Sequence, residues 1–202
     1  MAPGKKREIA PEAKMARVLR VARQLFVEKG YYNVSIPLIV KASGVSTGAI
    51  YSYFANKEDL ARRIHAETLQ DFQQMLDARL RDAQTTREKL EAFARLCFDV
   101  AESDPVMMEY MLYMKHAEFM TDTTPICFTE PFRLVRGILV QGMDRGDIRR
   151  QDVYVAAISY TGVILRAIQL RLLCVVNTPL QEIADELMAN AWAAIANHST
   201  AN

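Results

Sequence analysis

The stretch GVSTGAIYSYFANKEDL, Gly44 to Leu60, gathers small hydroxyl residues, two tyrosines and a lysine. The chemistry open to Ser46, Thr47, Tyr51, Ser52, Tyr53 and Lys57 is non-covalent. Hydroxyls and an ammonium donate to phosphate oxygens, and Thr and Tyr also reach base edges or a thymine methyl. Covalent chemistry has no comparable cluster. His65, His116 and His198 are scattered, and no HExxH, GxSxG or phosphate-binding loop occurs. No catalytic residue, metal site or cofactor is therefore expected. Cys97, Cys127 and Cys174 are odd in number and lack CxxC spacing, which points to a reducing cytoplasm rather than a disulfide framework or zinc site.

Charge is informative once the chain is divided. Residues 1–63 hold 12 Lys and Arg against 5 Asp and Glu, a net +7, whereas 64–202 hold 13 against 19, a net −6. A near-neutral chain is thus a basic head on an acidic body, and a basic head suits a phosphate backbone. The opening MAPGKKREIAPEAK has basic residues but no apolar core, so no secretory signal is expected. The most apolar run, Val153 to Val176, is interrupted by Arg166, Gln169 and Arg171. Arginine at mid-span is expensive in a bilayer, so this run is expected to be a buried soluble helix, with no membrane partner.

The elements that position Gly44–Leu60 read as helices. Val18, Leu19, Ala22, Leu25 and Phe26 recur at helical spacing, and Gly30 ends that helix. Ser35 caps a second, with Pro37 tolerated in its first turn and Ile36, Ile39 and Val40 on its apolar face. Gly44 permits a tight turn, and Ser46 caps a short third helix from Thr47 to about Phe54. A long helix follows from Lys57 to about Ala83, then others near 86–103, 105–120, 130–145, 152–175 and 179–197. No strand shows convincing alternation, and the class is all-α.

Residues 35–54 form a helix-turn-helix candidate, in which the second helix enters the DNA major groove while the first braces it. Ile50 and Phe54, four apart, anchor the short helix on its neighbours. That leaves Thr47, Gly48, Tyr51 and Ser52 facing outward, with Lys57 adding a charge to the same phosphate track.

Residues 25–60, LFVEKGYYNVSIPLIVKASGVSTGAIYSYFANKEDL, resemble the DNA-binding head of TetR-family transcriptional regulators. The resemblance lies in the Gly-Tyr after the first helix, the Ala-Ser-Gly-Val-Ser turn, the Ile-Tyr-x-Tyr-Phe helix and the Asn-Lys-Glu that follows. It is strong over about fifty residues and only architectural beyond. It implies that Thr47, Gly48 and Tyr51 face bases or sugar-phosphate and that Ser35, Tyr53 and Lys57 contact phosphates; Ser46 and Ser52 complete the expected DNA-binding set. Pro37 departs from the pattern, because many relatives carry a polar or basic reader near that position. The basic KKR at 5–7 is expected to be a solvated tail rather than a minor-groove arm.

The resemblance further implies a DNA-binding domain over 1–56 and a ligand-binding, dimerising domain over 57–202. A homodimer would bind an inverted-repeat operator and be released by a small, largely apolar effector. Helix 152–175 is apolar nearly all round, which calls for cover on both sides. A four-helix interface supplies it, with Val163, Leu170, Leu187, Ala191 and Trp192 as candidates. The segment PVMMEYMLYMKHAEFM, 105–120, is Met-rich, and methionine adapts to varied apolar ligands. Met107, Tyr110, Met111 and Met114, with Tyr160, Arg166 and Gln169 as polar groups, are the candidate pocket.

Three alternatives remain at this level. A redox-responsive regulator would use Cys127, in TPICF, as an exposed thiol, since Cys97 and Cys174 lie in apolar helical runs and read as inert core. A helical adaptor would lack any DNA role. An enzyme would need scattered residues to converge in space.

Overall fold

The computed structural model describes residues 11–120 and 129–197. Nine α-helices occur among them: α1 Pro11–Lys29, α2 Ile36–Ser43, α3 Thr47–Tyr51, α4 Lys57–Leu80, α5 Thr86–Ser103, α6 Pro105–Tyr113, α7 Glu130–Arg145, α8 Val153–Leu172 and α9 Leu180–Ala193. Single 3-10 turns sit at Tyr31–Asn33 and His116–Glu118. Among the described residues, the only extended pairing is an isolated antiparallel bridge between Ile148 and Ala196. The all-α class expected from the sequence is the observed one. Two compact units are present. Among the described residues, one runs through Glu67 and includes 114–120, and the other holds 68–113 and 129–197.

The first unit is built on α1. Its stripe of Val18, Leu19, Ala22, Leu25 and Phe26 is buried, as are Ile36 and Ile39 of α2, Ile50 of α3, Phe54, and Leu60, Ala61 and Ile64 of α4. Gly30 closes α1 at φ 77°, a left-handed conformation that costs glycine little.

Here the structure departs from the expected helix 105–120, because α6 stops at Tyr113 and the chain turns into the first unit. Phe119 stacks on Tyr31 with ring centroids 4.0 Å apart and planes 9° from parallel. The Tyr32 hydroxyl donates to the carbonyl oxygen of Glu118, 86 positions away. His116 is buried, its ring centroid 4.6 Å from that of His65. Helix propensity is a few tenths of a kcal/mol per residue, and tertiary contacts of this kind override it.

The second unit centres on α5. Leu90, Phe93, Ala94 and Cys97 are buried there with Phe72 and Leu76 of α4, Ile164 and Ile168 of α8, and Ala184 and Met188 of α9. A capping box of Thr85 and Glu88 starts α5. A Cβ on Gly142 would lie 2.5 Å from Thr86 Cγ2 and 2.8 Å from Ile148 Cδ1, so glycine is what allows these elements to approach. The Glu102 carboxylate accepts from Arg171 Nε at 2.8 Å, Arg171 Nη2 at 3.1 Å and Leu180 N at 2.9 Å. The Arg171 hydrogen bond above all holds this carboxyl below the usual range, and the pair ties the ends of α5 and α8 to the start of α9.

The apolar run and Cys174 fare differently from one another in this unit. By length and composition α8 could cross a membrane. Its inward residues Ala156, Tyr160, Ile164, Ala167 and Ile168 instead join the helical core, while Val155 and Ile158 stand 50% and 70% exposed. The helix is thus covered on one side only within its own chain. Cys174 is not core: it lies beyond the end of α8, exposed, at φ 55°. The chain leaves the helix at Leu172, two residues before it, so the apolar run does not carry Cys174 inward.

The His65–His116 pair has a pH signature. Burial, and then the neighbouring His65, depress the His116 pKa to about 4, and burial lowers that of His65. A base whose folded pKa lies below its unfolded value stabilises the fold above the unfolded value, near 6.5, and loses that contribution as pH falls toward 4. His116→Phe keeps a ring against Phe119 and removes the proton site. Thermal or urea unfolding of the variant should therefore gain on the parent between pH 6.5 and 4, by up to about 3 kcal/mol. Parallel pH profiles would show that the pair does not titrate with folding.

Candidate nucleic-acid interface

Residues 35–54 are held by local hydrogen bonds as much as by packing. Ser35 caps α2, its hydroxyl accepting from Leu38 N at 3.3 Å, with Pro37 at the start of the helix. Gly44 ends α2 in the left-handed region, φ 68°, and buried Ser43 accepts from Val45 N at 3.2 Å inside the turn. Ser46 then caps α3 by accepting from Ala49 N at 3.3 Å. The third helix ends at Tyr51 rather than near Phe54, but the chain turns on, with Phe54 N donating to Ile50 O at 3.0 Å. Ile50 and Phe54 are 1% and 4% exposed, so the expected anchors are the actual ones.

The outward residues lie around those two anchors. Ser35, Ser46, Thr47, Gly48, Tyr51, Ser52 and Tyr53 are all exposed, the two tyrosines by 53% and 45%. Ser52 Oγ donates back to Ala49 O at 2.7 Å. Seven of the eight expected contact residues therefore share the first unit's surface around α3.

Lys57 is different. Its Nζ donates to Tyr31 O at 3.0 Å and Val34 O at 2.9 Å, and sits 4.0 Å from the Tyr31 ring centroid. Partial burial lowers its pKa. Two of three ammonium donors are thus committed to main chain, and the residue clamps the start of α4 to the connection between α1 and α2. The lysine followed a helix-start pattern in the sequence, and no sequence signal linked it to carbonyls 23 and 26 positions away. Sequence reasoning also missed Arg17, whose Nη2 lies 3.9 Å from where a Cβ on Gly44 would be. A guanidinium beside the turn adds positive charge there. The KKR at 5–7 lies outside the described residues.

In the second unit the expected ligand and dimer residues disperse. Met107 and Met111 belong to the hydrophobic core, and Tyr110 is fully buried. Met114 falls in the first unit. Tyr160 is fully buried with a hydroxyl that has no hydrogen-bond partner among the described residues, and burial pushes its pKa up. Arg166 is exposed and donates to Gln169 Oε1 at 2.5 Å.

A cavity of about 280 Å³ lies elsewhere, among Leu112, Tyr113, Phe132, Val135, Arg136, Tyr154, Ala157, Ile158, Thr161 and Leu165. Arg136, the cationic side chain of this lining, stands 5.7 Å from the Tyr154 ring centroid. None of the seven expected ligand residues lines it. Periodicity alone could not find it, because its wall combines α6, α7 and α8.

Val163, Leu170, Leu187 and Trp192 are half-buried, while Ala191 is fully buried within its own chain. Cys97 is buried with its thiol pushed well above the usual range, the opposite of a reactive thiolate. Cys127 lies outside the described residues. No group of three or more metal-ligating side chains occurs among the described residues.

Known proteins place this arrangement. Residues 18–64 match the family model described as bacterial regulatory proteins, tetR family. The chain is similar to the fatty acid metabolism regulator protein of Bacillus subtilis (strain 168), at 26% identity over 139 residues, covering 67% of this chain and 71% of that protein. It is also similar to the HTH-type transcriptional regulator HbdR of Aromatoleum sp. (strain CIB), at 41% identity over 49 residues. That match covers 24% of this chain, and the chain spans 21% of that relative's length.

Solved structures share the fold at low identity. A TetR family transcription regulator from Marinobacter aquaeolei VT8 superposes with a TM-score of 0.79 at 18% identity, over 93% of this chain and 97% of that one. The transcriptional regulator FadR from Bacillus subtilis, in complex with stearoyl-CoA, gives 0.70 at 20%, over 89% and 98%.

The Lys57 clamp separates two roles by experiment. Lys57→Met should lower the unfolding free energy by about 1.5–3 kcal/mol, the range for hydrogen bonds to a charged group, read as a drop in Tm. An unchanged Tm with a shallower salt dependence of DNA binding would mean that the lysine acts only on phosphate.

Proposed function

We propose that this chain, which belongs to the TetR family of transcriptional regulators, is a cytoplasmic repressor that binds an inverted-repeat operator as a homodimer and is released by an apolar, acyl-type effector. The family is one of DNA-binding regulators, not enzymes. The observation that carries the proposal is the anchoring of a five-residue helix by Ile50 and Phe54, with Thr47, Gly48, Tyr51 and Tyr53 turned outward on a net-positive head. Such a surface suits a major groove, and Ser35 and Ser46 suit the flanking phosphates.

Residues 1–56 are taken as the DNA-binding domain and 57–202 as the domain that dimerises and binds the effector. A dimer would cover the open side of α8, where Val155, Ile158, Val163 and Leu170 are exposed or half-exposed, together with Leu187 and Trp192 of α9. The effector class is supported by the apolar cavity bordered by α6, α7 and α8, with Arg136 and Tyr154 offering a cationic, polar lip to an acidic end group. It is supported as well by a relative named for fatty acid metabolism and by the stearoyl-CoA held in the FadR structure. An effector that prefers one head spacing shifts the dimer away from the operator-bound state.

Footprinting on the DNA upstream of the chain's own gene tests the reading. A protected inverted repeat is expected, with affinity falling steeply as salt rises. Long-chain acyl-CoA should raise Tm and lower operator affinity at least tenfold. Absence of any protected site would sink the repressor assignment. A footprint unchanged by acyl-CoA would sink the effector class alone.

A further inference from the structure

The exposed surface of residues 35–54 lacks the side chains that usually read purines. Between Ser35 and Phe54 there is no Arg, Asn, Gln, Asp or Glu. Bidentate pairing to guanine uses Arg or Lys, and pairing to adenine uses Asn or Gln. Lys41, the only long polar side chain in this stretch, is exposed on α2, the helix that braces across the backbone. Ser43 is buried and Ser52 donates to Ala49 O, while Ser35 and Ser46 accept as helix caps and keep their O–H groups for flanking phosphates rather than for base edges.

Gly48 sharpens the point. A Cβ built there meets nothing within 4 Å, and its φ is not positive. Neither packing nor backbone conformation within the chain requires glycine. In a helix it costs about 1 kcal/mol relative to alanine. Its missing side chain leaves room for something outside the protein. On either side of that gap stand Thr47, with a γ-methyl and a hydroxyl, and Tyr51, with a ring 53% exposed.

We propose that the chain selects its operator through thymine 5-methyl groups, met by the Thr47 methyl and the Tyr51 ring, with Gly48 admitting the base edge. This rests on the reading that α3 enters the major groove, and it adds which base chemistry is read there. Specificity then comes from apolar contact and close fit rather than from bidentate hydrogen bonds to purines.

The test uses the full chain and a duplex selected by it from a random pool. Replacing thymine by uracil removes each 5-methyl and keeps every hydrogen-bonding group. About fourfold is expected per buried methyl, so a fully substituted duplex should bind tenfold or more weakly at the same salt. Replacing guanine and adenine by their 7-deaza forms removes the N7 acceptors and should cost less than threefold.

Two variants locate the effect. Thr47→Ser keeps the hydroxyl and loses the methyl, so it should shrink the thymine–uracil difference at one position of each half-site. Gly48→Ala should raise Tm while lowering affinity at least tenfold. Equal binding of thymine and uracil duplexes, with a large loss on 7-deaza substitution, would overturn the proposal while leaving DNA binding intact. If no duplex is enriched over the random pool, the helix-turn-helix reading fails and this inference fails with it.

Discussion

A five-residue helix does not stand alone in water. Isolated helices shorter than about 12–15 residues are marginal even in favourable sequences, so α3 exists because Ile50 and Phe54 are buried against the rest of its unit. This one constraint decides the rest of the surface. With residues 50 and 54 fixed inward, helical geometry puts Gly48 on the far side and Tyr51 on the flank, and Thr47, at the first position of the helix, is exposed as well. The Ser46 cap fixes where the helix begins, and the left-handed Gly44 fixes the angle at which it leaves α2.

The same unit is braced by a second set of contacts around Tyr31. Its carbonyl and ring engage Lys57, its ring stacks on Phe119, and neighbouring Tyr32 donates to Glu118. The connection from α1 to α2 is thereby tied both to the start of α4 and to a segment far along the chain. Burial of His116 against half-buried His65 places groups that titrate near neutrality when unfolded into this bracing. Stability of the surface around α3 and docking of residues 116–119 are therefore expressions of one packed cluster.

Much of this was legible in the residues themselves. Ser35, Gly44 and Ser46 are local signals whose meaning depends on a few neighbours, and the spacing of Val18 through Phe26 and of Ile50 and Phe54 marks inward faces directly. What was not legible depended on distant partners. The end of α6 at Tyr113 is set by Tyr31 and Tyr32, and the position of Lys57 by two carbonyls near the end of α1. Met107 and Met111 look alike as core or as pocket wall, because methionine serves both, and the structure puts them in the core. The apolar run around Cys174 implies burial only if it forms one continuous helix, whereas the helix ends before it.

The central claim is that residues 35–54 are the surface that meets DNA. Hydrogen exchange on the full-length chain, with and without its upstream duplex, tests it most directly. The account predicts that DNA slows exchange in peptides covering Ser35 to Phe54, with α5 unchanged. Protection confined to the second unit, or none at all despite measurable binding, would contradict it.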